Sequence, residues 1–224
     1  MTPFRVALLT TSFAVVVCAG AVQSPAQGPA AAPAKPMITL QMPALPEPAK
    51  VTLDPAKTGL LVLDYVEGIC KQQPKCTGQM LPAFTPFMAK ARKANVTVAY
   101  GTREANMSKW LPEIAPMAGD IKIINTAQDR FYNTELDKQL KAKGVATLIL
   151  AGWKVSGSVA YSSLGATVRD FTVVVPVDTT AATTDYETTI GFYQILNAGN
   201  ANLANEPLKP KSTTLSRTDL ITFQ

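Results

Sequence analysis

From about residue 51 onward, short apolar runs alternate with longer amphipathic stretches. Gly59-Leu-Leu-Val-Leu-Asp64 is a continuous apolar run ending on a carboxylate, the pattern of a strand buried on both faces. Pro82 sits where a first helical turn tolerates it, and 83–94 follows as a helix. Residues 95–100 form a second strand, stopped by Gly101, and 120–124 a third. A helix over 134–143 ends at Gly144, a natural helix stop. Residues 145–151 give a fourth strand, 156–169 a helix rich in small residues, 171–177 a fifth strand and 185–196 a helix. Residues 213–221 are the candidate for a final strand. This alternation predicts βαβ units, hence a three-layer α/β/α Rossmann-like domain on a mainly parallel sheet of five or six strands. In such sheets ligands bind at the carboxyl ends of strands, where the strand order reverses. Asp64 and the turn 152–158 are thereby singled out.

The beginning of the chain follows a different rule. Arg5 precedes an almost unbroken apolar stretch, 6–17, and Ala19-Gly20-Ala21 offers small residues for cleavage. This is the pattern of an export signal over 1–21, and it places the mature protein in the periplasm or outside the cell. The apolar stretch is short for a membrane span, so no stable insertion is expected after cleavage. Lipid attachment at Cys18 is the alternative, although Val17 stands where a small residue normally precedes such a cysteine. Residues 22–50 are dense in Pro and Ala without an amphipathic period, which predicts a linker ahead of a domain over 51–224.

Composition narrows the chemistry. The chain of 224 residues has 47% hydrophobic and 17% charged residues, which suits one folded domain. The net charge is +5, and loss of Arg5 with the signal leaves +4. The basic residues are scattered and not interleaved with aromatics, so they predict solvated helix faces and no nucleic-acid partner. There is no histidine, which excludes a Ser-His-Asp triad, a Cys-His dyad and any His-ligated metal. Three cysteines are too few for a four-thiolate zinc site, and no glycine-rich phosphate loop is present. Neither metal nor cofactor is therefore expected. After export, Cys70 and Cys76 form a nearby pair in an oxidising compartment and suggest a disulfide, with a catalytic thiol as the alternative.

Five segments in order carry a resemblance. They are Leu60-Leu-Val-Leu-Asp64, the step 90–100, Asp129-Arg-Phe-Tyr-Asn-Thr-Glu-Leu136, Gly152-Trp-Lys-Val-Ser-Gly-Ser-Val159 and Val173-Val-Val-Pro-Val-Asp178. Together they resemble the isochorismatase-like cysteine hydrolases, which include nicotinamidases and N-carbamoyl amide hydrolases. The resemblance implies a catalytic aspartate, lysine and cysteine acting on small amides or esters. Asp64 matches the aspartate. The cysteine position falls on Ser158, and the lysine position, six residues before Phe131, falls on Asn125. Some branches of the family also carry a small residue other than cysteine at the nucleophile position. The metal-binding histidines of nicotinamidases have no counterpart here. The resemblance further implies homo-oligomers and a cis peptide after Gly152, at Trp153–Lys154.

A thiol with a pKa of ~8.5 ionises readily, whereas a serine hydroxyl is a far weaker acid and an aspartate a poor base for it. Ser158 at a helix N-terminus would still have oxyanion donors, expected at the backbone of Gly157 and Val159. Lys154 is the candidate to supply the charge missing at Asn125, giving an Asp64–Lys154–Ser158 set. Arg103, just past the second strand, is placed to receive a substrate carboxylate. Trp153, Tyr65 and Asn125 complete the candidate binding residues. Each has a plainer alternative: Asp64 as a turn cap, Ser158 as a helix cap, Lys154 and Arg103 as surface charges, the aromatics as core. Three functions remain open. One is hydrolysis of small amides or esters through a covalent Ser158 intermediate or an Asp64-activated water. Another is a pseudoenzyme that binds a small molecule or a partner in the same pocket. The third is a structural or envelope-associated role, with the linker tethering the domain.

Overall fold

The computed structural model describes residues 38–39 and 41–224. The signal segment 1–21 with Cys18, and linker residues 22–37 and 40, lie outside the described residues. A compact unit runs from Pro43 to Gln224. Its elements in chain order are β1 (Val51–Leu53), β2 (Thr58–Leu63), α1 (Glu67–Cys70), α2 (Leu81–Lys93), β3 (Thr97–Thr102), β4 (Ile121–Ile124), α3 (Leu136–Ala142) and β5 (Thr147–Trp153). They continue with α4 (Ala160–Thr167), β6 (Thr172–Pro176), β7 (Thr180–Ala181), α5 (Asp185–Leu196), β8 (Thr213–Ser216) and β9 (Ile221–Phe223).

The main sheet runs β4-β3-β2-β5-β6-β8 with every pairing parallel, and β7 adds to the end of β5. The chain works outward from β2 to β4, then returns to β5 and works outward the other way. The order thus reverses between β2 and β5, where two crossovers diverge and leave a crevice at the strand ends. All six residues of β2 are buried, as its unbroken apolar run requires. Alternate residues feed two cores. Leu60, Val62, Tyr100 and Ile149 pack with Phe84, Phe87 and Met88 of α2 on one face. Leu61, Leu63, Leu148 and Leu150 pack with Leu136, Leu140, Phe192 and Ile195 of α3 and α5 on the other. Each fully buried side chain of this size contributes about 1.5–3 kcal/mol.

Two expectations shift in detail. The stretch 213–221 is two strands, not one. β8 joins the main sheet, while β9 pairs in parallel with β1 in a separate ribbon. The break falls at 217–219, where Arg217 closes on Asp219 and the Asp178 carboxylate accepts from the Thr218 amide at 3.1 Å. The second shift is at the N-terminal side. Residues 43–50, read as linker, dock on the domain. The Ala49 amide donates to the Leu215 carbonyl at 2.8 Å, Asn205 Nδ2 donates to the Glu47 carbonyl at 2.9 Å, and Ser216 Oγ donates to the Ala49 carbonyl at 2.7 Å. Prolines at 43, 46 and 48 lack amide donors, so the strap lies flat with few amides left to satisfy.

Cys70, closing α1, is bonded to Cys76, with Cα atoms 5.1 Å apart. Both are buried, so neither is a free thiol and the catalytic-thiol alternative for this pair is closed. Closing so short a loop restricts the unfolded chain modestly. Replacing both cysteines by serine is expected to lower the unfolding free energy by about 2 kcal/mol. Urea denaturation of both proteins, with and without a phosphine reductant, measures it; reductant should act on the wild type only.

Candidate active site

Four strand ends converge on the crevice. Just past β2, Asp64 adopts φ 53°, a left-handed conformation that aspartate tolerates better than most residues. Its amide donates to the Gly101 carbonyl at 3.3 Å, which pins the turn against β3. Thr102, the last residue of β3, donates from Oγ1 to Asp64 Oδ1 at 2.7 Å. From the loop after β4, Arg130 Nη2 donates to Asp64 Oδ2 at 2.6 Å. After β5, Ser158 Oγ donates to the same Oδ2 at 2.7 Å and accepts from Arg130 Nη2 at 3.2 Å. Aspartate, arginine and serine thus close a triangle of hydrogen bonds.

The Asp64–Arg130 pair is nearly inaccessible, its side chains 8% and 3% exposed. A buried ion pair holds only where its remaining polar atoms are also met. Arg130 Nη1 donates to Asn125 Oδ1 and to the Ala127 carbonyl, both at 2.8 Å, and to the Asn125 carbonyl at 3.1 Å. The Arg130 amide donates to Ser162 Oγ of α4 at 3.1 Å, while its Nε is buried without a partner. The aliphatic stem of Arg130 lies on Gly101, where an added Cβ would sit 2.8 Å from Arg130 Cγ. Gly152, with φ 138°, is equally constrained: a Cβ there would lie 1.9 Å from the Leu63 carbonyl oxygen.

Ser158 is placed by the wound turn Val155–Val159 ahead of α4, in which Gly157 departs from helical geometry at φ −129°, ψ −116°. A Cβ on Gly157 would meet Gln128 Oε1 and Lys154 Cγ at 3.2 Å. The expected oxyanion donors are differently employed. The Gly157 and Val159 amides both donate to the Lys154 carbonyl, at 2.9 and 3.2 Å. The wound turn needs those bonds, so neither amide is free to face a ligand.

The other expected residues divide. The Trp153–Lys154 peptide is cis. The Lys154 ammonium pairs with Glu187 on α5, whose Oε1 also accepts from Ser156 Oγ at 2.8 Å. Lys154 first, and then Ser156, holds the Glu187 carboxyl below its ordinary range. The charge against Asp64 and Ser158 therefore comes from Arg130, while Lys154 forms part of the wall. Asn125 fastens Arg130 and lines a neighbouring hollow. Tyr65 is core: it stacks on Phe84 with centroids 4.8 Å apart, and its hydroxyl donates to the Thr179 carbonyl at 2.7 Å. Burial pushes that phenol well above its usual pKa. Trp153 and exposed Arg103 do line the cavity, which measures about 360 Å³ and has Asp64, Arg130 and Ser158 among its walls.

Arg130 and Thr102 were not singled out in the sequence. A signal existed for Arg130: it sits directly before Phe131, in a matched segment, while the position expected to be cationic holds Asn125. Arg130→Met would leave the Asp64 carboxylate buried without its partner. A loss of about 3–5 kcal/mol is expected in urea denaturation, with much of it recovered in Arg130→Met/Asp64→Asn. Equal losses in the single and double variants would contradict this account of the pair.

Comparison with known proteins places the fold. A family model described as Isochorismatase domain matches residues 58–204. An uncharacterised isochorismatase family protein of Bacillus subtilis, YwoC, is 26% identical over 126 residues, covering 46% of this chain and 66% of that protein. The chain thus spans just under two thirds of that relative's length. Among solved structures, N-carbamoylsarcosine amidase from Thermoplasma acidophilum superposes with a TM-score of 0.59 at 22% identity, covering 73% of this chain and 97% of that one. An isochorismatase from Pseudomonas putida gives a TM-score of 0.61 at 14% identity, covering 76% and 93%. The structural likenesses establish the fold, and the family match establishes the lineage: this chain belongs to the isochorismatase family.

Proposed function

We propose that this protein is an exported hydrolase of small esters and amides. In this reading Ser158 is the nucleophile, Asp64 its base, and Arg130 the fixed cation. The observation that carries it is the 2.7 Å hydrogen bond from Ser158 Oγ to Asp64 Oδ2 at the wall of the 360 Å³ cavity. A nucleophile bonded to its base, beside space for a substrate, is the minimum geometry for acyl transfer.

The chemistry follows from the contacts. Ser158 Oγ attacks the carbonyl carbon while its proton passes to Asp64 Oδ2. The charge that develops on oxygen feels the field of the Arg130 guanidinium, whose Nη donors stay engaged with Asp64, Ser158 and Asn125 and which cannot serve as a proton donor at ordinary pH. The proton on Asp64 then transfers to the departing alcohol or amine. Water attacks the acyl-serine as Asp64 Oδ2 takes its proton, and that proton passes to Ser158 Oγ as the carboxylic acid product departs, which restores the site. Thr102 holds Asp64 Oδ1, so the base presents Oδ2 throughout. A hydroxyl is harder to activate than a thiol, so esters should react faster than amides. Export is supported by the apolar stretch behind Arg5 and by the Cys70–Cys76 disulfide, a bond that persists in oxidising compartments.

One observation favours a second reading, binding without turnover in the same cavity. The Gly157 and Val159 amides are engaged by the Lys154 carbonyl, so the oxyanion lacks those donors. A hydrolysis panel of p-nitrophenyl acetate, N-carbamoylglycine and simple amides separates the two. Turnover should fall at least ~100-fold in Ser158→Ala and in Asp64→Asn, and rise in Ser158→Cys. Undiminished activity in Ser158→Ala but not in Asp64→Asn would assign the work to an Asp64-activated water. A folded wild type that binds panel members but turns none over would establish the second reading.

A further inference from the structure

The turn that carries Ser158 is irregular. Between β5 and α4, Gly157 departs from helical geometry, and the Lys154 carbonyl takes both the Gly157 amide at 2.9 Å and the Val159 amide at 3.2 Å. Such a turn lacks the continuous ladder of a helix. It keeps one shape where side chains outside it hold it, and otherwise opens locally.

Helix α5 supplies that hold. Its Gly191 lies so close that an added Cβ would sit 2.9 Å from the Ser156 amide nitrogen and from Val155 Cγ1. One helical turn earlier on the same face, Glu187 Oε1 accepts from Ser156 Oγ at 2.8 Å and pairs with the Lys154 ammonium. The carboxylate therefore grips the turn at two points. One is the residue whose carbonyl winds the turn, and the other stands two residues before Ser158. Glu187 is itself fixed, because its amide donates to Thr184 Oγ1 at 3.1 Å. Thr184 and Glu187 have the spacing of a capping box, in which the glutamate turns back on its own helix cap. Here Oε1 is spent on a different element. Glu187 is not among the residues that line the active-site cavity.

We propose that Glu187 is a positioning residue for the nucleophile: it braces the turn at Lys154 and Ser156 and thereby holds Ser158 Oγ on Asp64 Oδ2. Its kinetic consequence rests on the reading of Ser158 as the nucleophile, whereas the brace itself exists with or without turnover. A glutamine keeps the Oε1 that accepts both bonds, so Glu187→Gln preserves most of the brace. Glu187→Ala removes it.

Kinetics of p-nitrophenyl acetate hydrolysis by the purified protein read the first consequence. Glu187→Ala should lower kcat about tenfold with KM within about twofold of the wild type, since a displaced nucleophile costs rate and Glu187 does not face the substrate. Glu187→Gln should recover most of kcat. Ser156→Ala, which removes one of the two grips, should fall between them, and it stands in for Glu187→Ala in both measurements if that variant does not fold. Urea denaturation reads the second consequence without any turnover. Part of what Glu187→Ala costs is the Ser158–Asp64 bond that it loosens, so the loss should be clearly smaller in a Ser158→Ala background. A residue that merely secures α5 gives equal losses in both backgrounds. A wild type without turnover defeats the hydrolase reading and leaves the urea measurement to decide the brace. The brace is overturned by equal losses in the two backgrounds, by wild-type kcat in Glu187→Ala of an active protein, or by Glu187→Gln as slow as Glu187→Ala.

Discussion

The ion pair between Asp64 and Arg130 is the constraint around which the crevice is organised. It joins the end of β2 to the loop after β4 and, through Ser158, to the turn after β5. A charge pair this deeply buried is stable only with near-complete hydrogen bonding, because desolvation of the two ions is offset in no other way. That requirement explains the surroundings. Thr102 takes the second carboxylate oxygen, Asn125 and Ala127 take the second guanidinium nitrogen, and Ser162 fixes the arginine backbone. Much of what looks like active-site decoration is the solvation shell that water would otherwise supply.

The parallel fold was legible because its signals are local and redundant. The run ending at Asp64 could only be a strand covered on both faces, and α5 spans 185–196 as its sequence implies. Alternation alone implied a parallel sheet, so Asp64 and the turn 152–158 could be singled out at strand ends before any distance was known. The parts that escaped were those decided by tertiary contact. The strap 43–50 has no apolar period of its own, and it is ordered by partners on Asn205, Leu215 and Ser216, more than 150 residues away in the chain. Arg130 was passed over for a related reason. An arginine beside a core phenylalanine usually reaches solvent, and only the fold shows it turned inward onto a carboxylate.

Lys154 illustrates the opposite error. Its place in the matched turn made it the natural donor of the missing charge, yet Glu187 on α5 competes for it and wins. The Thr184 hydroxyl accepts from the Glu187 amide at 3.1 Å, which fixes that residue in the first turn of the helix, facing Lys154. Charge compensation inside a folded chain is settled by which partner is held rigidly nearby, and sequence spacing does not reveal that.

The contact between Gly101 and the stem of Arg130 has a consequence for how such a site can arise. Any side chain at position 101 collides with the arginine, so the two positions are not independent. In a lineage moving its cation from position 125 to position 130, glycine at 101 must be present before arginine arrives or appear together with it. The reverse order would force the stem of Arg130 off the path it takes to Asp64. Across related chains, arginine at the position of Arg130 should therefore occur only with glycine at the position of Gly101, whereas glycine there can occur without arginine.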